Sequence, residues 1–220
     1  MNNLQKNNKG FTLIELFIVI AVVAVIGVVL VVVIDPAEKL KQTRDIQRMA
    51  DLKTLKRAII KYISSTKNPI MDGVDNSACV GGSGTKLVWI SATSTPPATA
   101  WHGVSAMRQP GLTETMGNVD GTGWLPINFA SISGGTPISN LPLDPTNFIN
   151  GGSQNIGQAN LHYHYSCRYP SFGFELMVLM ESNQYKTIDN KAENDGGDDP
   201  SAYEVGTDLR VLPINSFFTI

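Results

Sequence analysis

The chain has 220 residues, a net charge of −2 and two cysteines. This near-neutral balance gives no electrostatic case for binding to nucleic acid or to an anionic surface through overall charge. Once an amino-terminal leader and a long helix are set aside, about 155 residues remain, a common size for one domain.

An apolar run at residues 11–34 follows a short polar leader, residues 1–10, that contains Lys6 and Lys9 but no acidic residue. As a helix that rises about 1.5 Å per residue, the run is roughly 36 Å long, enough to cross a hydrocarbon core of about 30 Å. The leader lysines predict a cytoplasmic amino terminus and export of the rest. Glu15 is the only charge in the run, and deep in lipid it costs about 2.5–3.5 kcal/mol unless it is paired.

The next segment, residues 35–66, begins with Asp35-Pro36, which predicts a kink or a locally unwound turn. A helical pattern then resumes. Apolar residues at spacings of three and four predict an amphipathic helix that packs against a head domain. This stripe consists of Met49, Leu52, Leu55, Ile59 and Ile63.

Residues 67–220 are expected to form an extracytoplasmic globular head. Gly, Ser, Thr, Asn and Pro dominate to about residue 157, and Trp89, Trp101 and Trp124 are expected to anchor the packing. Three strands, at residues 161–169, 172–181 and 202–213, are expected to form an antiparallel sheet against the amphipathic helix. The predicted fold class is therefore α+β, a long amino-terminal α-helix packed on a small antiparallel β-sheet head with long loops.

The sequence KGFTLIEL at residues 9–16 is similar to the class III signal of type IV pilins and of the pseudopilins of type II secretion. The resemblance implies that prepilin peptidase cuts between Gly10 and Phe11 and that the new amine of Phe11 is methylated. It also implies that Glu15 pairs with the terminal amine of a neighbouring subunit during assembly. A plain membrane anchor, with Glu15 at the level of the lipid headgroups, is the alternative.

The function that this resemblance implies is structural rather than enzymatic. The chain would be the major pilin of a type IV pilus-like surface filament, a single-pass precursor in the inner (cytoplasmic) membrane that is then assembled on the cell surface. Its partners would be copies of itself, prepilin peptidase and a membrane assembly platform, with no required cofactor and no nucleic acid. A pseudopilin or minor pilin of a secretion, adhesion or DNA-uptake system shares the same sequence features. A membrane-anchored extracytoplasmic enzyme or binding protein would need a convergent polar site, and no catalytic motif indicates one.

Charge is unevenly distributed along the chain. Residues 35–67 carry a balance of +5, whereas residues 181–208 carry −6. In a filament of identical subunits, such opposite surfaces can steer and register neighbours. Two independently solvated faces are the alternative.

The two cysteines, Cys79 and Cys167, fall in the predicted extracytoplasmic head. Disulfides persist in such compartments, and a bond between these cysteines would contribute about 2–4 kcal/mol. Two separate buried thiols are the alternative.

Two groups of residues offer metal ligands. His162 and His164 share one face of a predicted strand, but no further ligand is near in sequence, so packed or exposed histidines are the expectation. Asp195, Asp198 and Asp199 gather around two glycines, and oxygen ligands on a flexible turn suit Ca²⁺. Resemblance to the major pseudopilins, which bind calcium through an acidic carboxyl-terminal loop, supports a structural Ca²⁺ there. A solvated acidic turn is the alternative.

Overall fold

The computed structural model describes residues 10–84, 86–91, 106–108, 115–147 and 161–212, with the backbone alone at residues 29–34 and 106–108. Residues 1–9 of the predicted leader, together with Trp101, His102 and Pro213, lie outside the described residues. The chain divides into two compact units, with the boundary between Leu40 and Lys41. The segment boundaries predicted at residues 10, 34 and 66 stay predictions.

The first unit contains helix α1, Leu13–Ile34, which begins with a capping box. The Thr12 hydroxyl accepts a hydrogen bond from the Glu15 amide at 3.3 Å, and the Glu15 carboxylate accepts one from the Thr12 amide at 3.0 Å. These bonds satisfy donors that a helix start leaves without intrahelical partners. The helix ends at Asp35, which has a φ of 42°, and α2 (Pro36–Ser65) begins at the next residue. The predicted interruption at Asp35-Pro36 is confirmed.

Apart from the Glu15 carboxylate, the described surface of α1 is apolar on all sides. Each side chain of residues 11–28 is exposed in the isolated subunit, and Phe11, for example, is 83% exposed. In the described part of the chain, no helix meets both the length and the apolarity that crossing a membrane requires. The membrane span expected at residues 11–34 stays a prediction.

The second unit contains most of α2, and here the predicted apolar stripe is confirmed. Leu52, Leu55 and Ile59 are fully buried, and Met49 and Ile63 are partly buried against the same hydrophobic core. The period of three and four residues places these side chains on one face of the helix, so α2 supplies one layer of the head.

The other layer is a five-stranded sheet with the order β2-β1-β3-β4-β5. Its strands are β1 (Leu87–Ile90), β2 (Ala106–Arg108), β3 (His164–Arg168), β4 (Gly173–Val178) and β5 (Tyr203–Gly206). Neighbours pair antiparallel except β1 and β2, which are parallel. The α+β class and the three predicted strands are confirmed, with shorter bounds. The last strand ends early because the chain turns at Thr207 and Asp208, whose amides both donate to the Phe174 carbonyl.

The two faces of this sheet differ in character. Alternate residues of β3 to β5, together with Tyr163, belong to the hydrophobic core; examples are Tyr165, Leu176 and Val205. Because side chains alternate along a strand, Glu175 and Glu204 lie on the opposite face. Both glutamates are buried there. The sheet therefore carries a buried polar face as well as an apolar one.

Two further features bind the head together. A disulfide joins Cys79, in the segment after α2, to Cys167 of β3, and the Cα atoms of the two residues are 4.8 Å apart. The predicted bond is confirmed. Trp89 and Trp124 are buried in the core, as expected of packing anchors, and the Trp124 indole donates to the Pro142 carbonyl at 3.0 Å.

A buried ion network connects α2 to distant parts of the chain. The Arg48 guanidinium, which has no exposed surface, contacts Asp144 twice, at 2.6 and 2.9 Å, and Asp45 at 2.7 Å. Arg44 contacts Glu181 at 2.7 Å. The prediction of a basic surface facing neighbours is wrong for these two arginines, because their charges are paired inside the subunit. Other basic residues of α2 remain exposed, including Lys53, Arg57 and Lys61.

Candidate assembly signal and candidate cation site

The predicted cleavage junction lies just before α1. Gly10 and Phe11 are exposed and precede the helix, which starts at Leu13. No atom lies within 4 Å of the position that a Cβ on Gly10 would occupy. The fold therefore leaves this peptide bond accessible, and the helix cap at Thr12 lies on the side of the bond that a mature chain would keep.

Glu15 lies one turn into the helix with its carboxylate at the surface. Its Oε2 atom accepts hydrogen bonds from the amide and the hydroxyl of Thr12, both at 3.0 Å. Among the described residues it forms no ion pair. The side chain is thus held in place by the capping box, and its carboxylate remains at the surface of the helix.

A second site lies on the buried polar face of the sheet. Glu175 of β4, Glu204 of β5 and Asp198 of the preceding loop each offer a carboxylate oxygen, and these oxygens lie within 4.8 Å of one another. Glu175 and Glu204 are 0% and 1% exposed, respectively. Because three carboxylates are the kind of donor set that hard cations prefer, the cluster could hold an ion.

The fold fixes two of these carboxylates through backbone donors. The Oε2 atom of Glu204 accepts from the Asp199 amide at 3.0 Å, and Oε2 of Glu175 accepts from the Val211 and Leu212 amides at 2.8 and 2.7 Å. A Cβ at Gly197 would collide with the carboxylate of Glu204. Glycine at that position is therefore what lets the loop close over the strand.

The surroundings of the three carboxyl groups disfavour a negative charge on all of them at once. Burial raises the pKa of Glu175 and that of Asp198. Burial and the adjacent Glu175 carboxyl raise the pKa of Glu204 further. A buried charge needs compensation, so either protons or a cation must neutralise part of this cluster.

The acidic loop predicted as the metal site contributes only Asp198 to this cluster. Asp195 instead accepts hydrogen bonds from the amides of Gly197 and Glu204, at 2.7 and 2.6 Å. Asp199 accepts one from the Ser201 amide at 2.9 Å. These two aspartates shape the loop. Sequence reasoning missed the strand glutamates, although a charged residue inside the apolar strand GFELMV was a usable signal.

The two strand histidines are packed rather than part of a larger ligand set. His162 and His164 are buried, with their Nε2 atoms 2.5 Å apart. Burial lowers the pKa of His162 to about 4, so the ring is neutral at ordinary pH. Within the described residues, the Glu175, Asp198 and Glu204 cluster is the only group of three or more such ligands. Of the two arrangements expected for these histidines, packed or exposed, the structure shows the packed one.

Comparison with known proteins bears on the amino-terminal signal. Residues 5–32 match the family model described as the prokaryotic N-terminal methylation motif. This motif marks the class III signal of type IV prepilins and type II secretion pseudopilins. The chain has no match among curated proteins or among solved structures. The chain therefore carries this signal ahead of a long helix and an antiparallel sheet, an arrangement similar to that of type IV pilins and pseudopilins.

Proposed function

We propose that the chain is the major pilin of a type IV pilus-like surface filament. The observation that carries this proposal is the surface of α1, which exposes apolar side chains over residues 11–28 with Glu15 as the single charge. Such a surface needs a cover, and lipid before assembly or neighbouring helices afterwards would supply it. Transfer between these two apolar environments is inexpensive if Glu15 is neutralised in both.

The path of the subunit follows from the same features. The precursor resides in the inner membrane with its amino terminus in the cytoplasm. Prepilin peptidase cuts between Gly10 and Phe11, and the new amine is methylated. An assembly platform then extracts the mature subunit into the filament, where Glu15 pairs with the terminal amine of a neighbour. The role is structural and non-enzymatic, it requires no cofactor, and any bound Ca²⁺ would stabilise the head rather than act in a reaction.

A Glu15→Leu substitution tests this proposal. We expect normal membrane insertion and normal processing but loss of filaments, because pairing between subunits needs the carboxylate, whereas insertion and cleavage do not. Val19→Leu, one turn further along α1, is the matched control and should assemble normally.

A Thr12→Ala variant separates pairing from helix capping. It removes the hydroxyl that bonds Glu15 but keeps the carboxylate, so filaments should still form. Normal filament yield from Glu15→Leu, or equal loss of filaments in Thr12→Ala, would contradict the proposed role. Filaments that contain the chain only as a rare component would indicate a pseudopilin or minor pilin instead.

A further inference from the structure

The cluster of Glu175, Asp198 and Glu204 contains more negative charge than its surroundings neutralise. One oxygen of each residue is buried and has no hydrogen-bond partner: Oε1 of Glu175, Oδ1 of Asp198 and Oε1 of Glu204. The ion pairs of the described residues include none of these three carboxylates. Buried acceptors are nearly always satisfied. A proton shared by Glu175 and Glu204 would satisfy two of these oxygens and leave that of Asp198, whereas one cation would satisfy all three.

The chemistry of the cluster selects the class of ligand. All three donors are carboxylates, and two of them are at least nine-tenths buried on rigid strands. Two oxygens bound to one Ca²⁺ at about 2.3–2.6 Å can be at most about 5 Å apart, so oxygens within 4.8 Å of one another fit a single ion. A soft metal would need sulfur or imidazole ligands, which this group lacks.

Glu175 also connects this cluster to the carboxyl-terminal segment, residues 207–212. While Oε1 of Glu175 is left without a partner, Oε2 of the same carboxylate accepts the amides of Val211 and Leu212. The segment is further held by Arg168, which donates to Asp208 at 2.5 Å and to the Arg210 carbonyl at 2.6 Å. An ion on Oε1 would fix the rotamer and the charge of the carboxylate that holds the segment.

We propose that Glu175, Asp198 and Glu204 bind one hard divalent cation, Ca²⁺ in the first place, and that the bound ion fixes residues 207–212 against β4. This site differs from the loop set of Asp195, Asp198 and Asp199, because two of its three ligands come from neighbouring strands of the sheet. It is also independent of filament assembly, since it concerns the head of a single subunit.

The test uses the full-length chain in mild detergent, treated with EDTA and then titrated with Ca²⁺ or Mg²⁺. Thermal unfolding is followed by fluorescence of the buried tryptophans, and hydrogen exchange is followed at the amides of Val211 and Leu212. Ca²⁺ should raise the unfolding temperature and, at about ten times its Kd, slow exchange at both amides about tenfold.

Single substitutions test whether these carboxylates bind the ion. Glu204→Gln should abolish both responses to Ca²⁺, and in EDTA it should be at least as stable as the wild type because it removes one buried carboxyl group that has to be neutralised. Asp198→Asn, which changes a partly exposed loop residue, tests the same site without altering a strand. The control is Glu193→Gln, an exposed acid of the same loop, which should respond to Ca²⁺ like the wild type.

Three outcomes would overturn the proposal. If millimolar Ca²⁺ changes neither readout in the wild type while stability still depends on pH, the cluster holds protons only. If Glu204→Gln and Asp198→Asn respond like the wild type, the ion binds elsewhere. If Ca²⁺ raises the unfolding temperature but leaves exchange at Val211 and Leu212 unchanged, the ion does not fix the carboxyl-terminal segment.

Discussion

Replacing Arg48 with methionine would remove the guanidinium that lies between α2 and two distant parts of the head. Arg48 is fully buried and donates two hydrogen bonds to Asp144, one to Asp45 and one to Glu181. Methionine is similar in length but carries no charge. The substitution therefore keeps much of the packing while it leaves Asp45 and Asp144 buried without their cation.

The expected loss follows from the partners that remain. Removal of one member of a buried ion pair typically costs about 3–5 kcal/mol, because the other charge stays buried and uncompensated. Asp45 keeps the amides of Glu181 and Ser182 as donors, and Asp144 keeps the amide of Thr146. Because these donors remain, we expect a loss near the lower end of that range, about 3 kcal/mol in the free energy of unfolding. For a domain of this size, this corresponds to a fall of roughly 6–12 °C in unfolding temperature.

The loss should also depend on pH. Burial by itself would raise the pKa of Asp144, but hydrogen bonds and charge from Arg48 outweigh burial and hold that pKa below its usual value. The pair therefore stabilises the fold above the ordinary aspartate pKa of about 4, and this contribution is lost as the pH falls through the lowered folded-state value. In Arg48→Met, Asp144 protonates more readily. The difference from the wild type should thus be largest at neutral pH and shrink in acid.

Urea unfolding of the full-length chain in mild detergent, followed by tryptophan fluorescence between pH 7 and pH 4, would measure both effects. Lys53→Met, an exposed position on the same helix, is the matched control and should change stability by less than about 0.5 kcal/mol. Adding Asp144→Asn to Arg48→Met should recover part of the loss. A loss below about 1 kcal/mol, or a loss that does not change with pH, would refute this account of the network.

Two further predictions concern the head. The double variant Cys79→Ser and Cys167→Ser should lower the free energy of unfolding by about 2–4 kcal/mol, because the disulfide closes a loop with a sequence separation of 88; an unchanged urea midpoint would contradict this. His162 is neutral and buried beside His164, with a folded-state pKa of about 4. Because the unfolded chain binds a proton near pH 6.5, wild-type stability should fall as the pH drops from about 6.5 towards 4. His162→Asn should show a shallower fall over that range, and equal slopes would count against neutral burial.

Periodic features of this fold could be predicted from the sequence. The spacing of Leu52, Leu55 and Ile59 places them on one face of α2, and the alternation of histidine and tyrosine before and within β3 separates the two faces of the sheet. The spacing of residues in the sequence predicts such features well, because the face on which a side chain lies depends only on its position within one helix or strand. Strand β1 was not among the three predicted strands, because a run of four residues is too short to show a clear alternation, and its parallel pairing with β2 depends on the fold.

Features that depend on distant residues were missed or misread. Arg48 was counted in the +5 balance of residues 35–67 as part of a basic surface, because its partner Asp144 is 96 residues away and only the fold brings them together. The acidic loop was interpreted either as one ion site or as a solvated turn, because its aspartates are close together in sequence. In the structure, Asp195 and Asp199 satisfy backbone donors, and the convergent oxygens come from Glu175 and Glu204, on strands that pair only after folding.

If the chain is a major pilin, it is cleaved after Gly10 and is the main component of a filament. Imaging of filaments sheared from the cell surface, with mass spectrometry of the intact subunit from the same preparation and a Gly10→Ser variant as the uncleaved reference, tests this claim. We predict abundant filaments built from a chain that begins at Phe11 and is heavier by one methyl group. A chain that remains in the membrane fraction and begins at Met1 would contradict the claim.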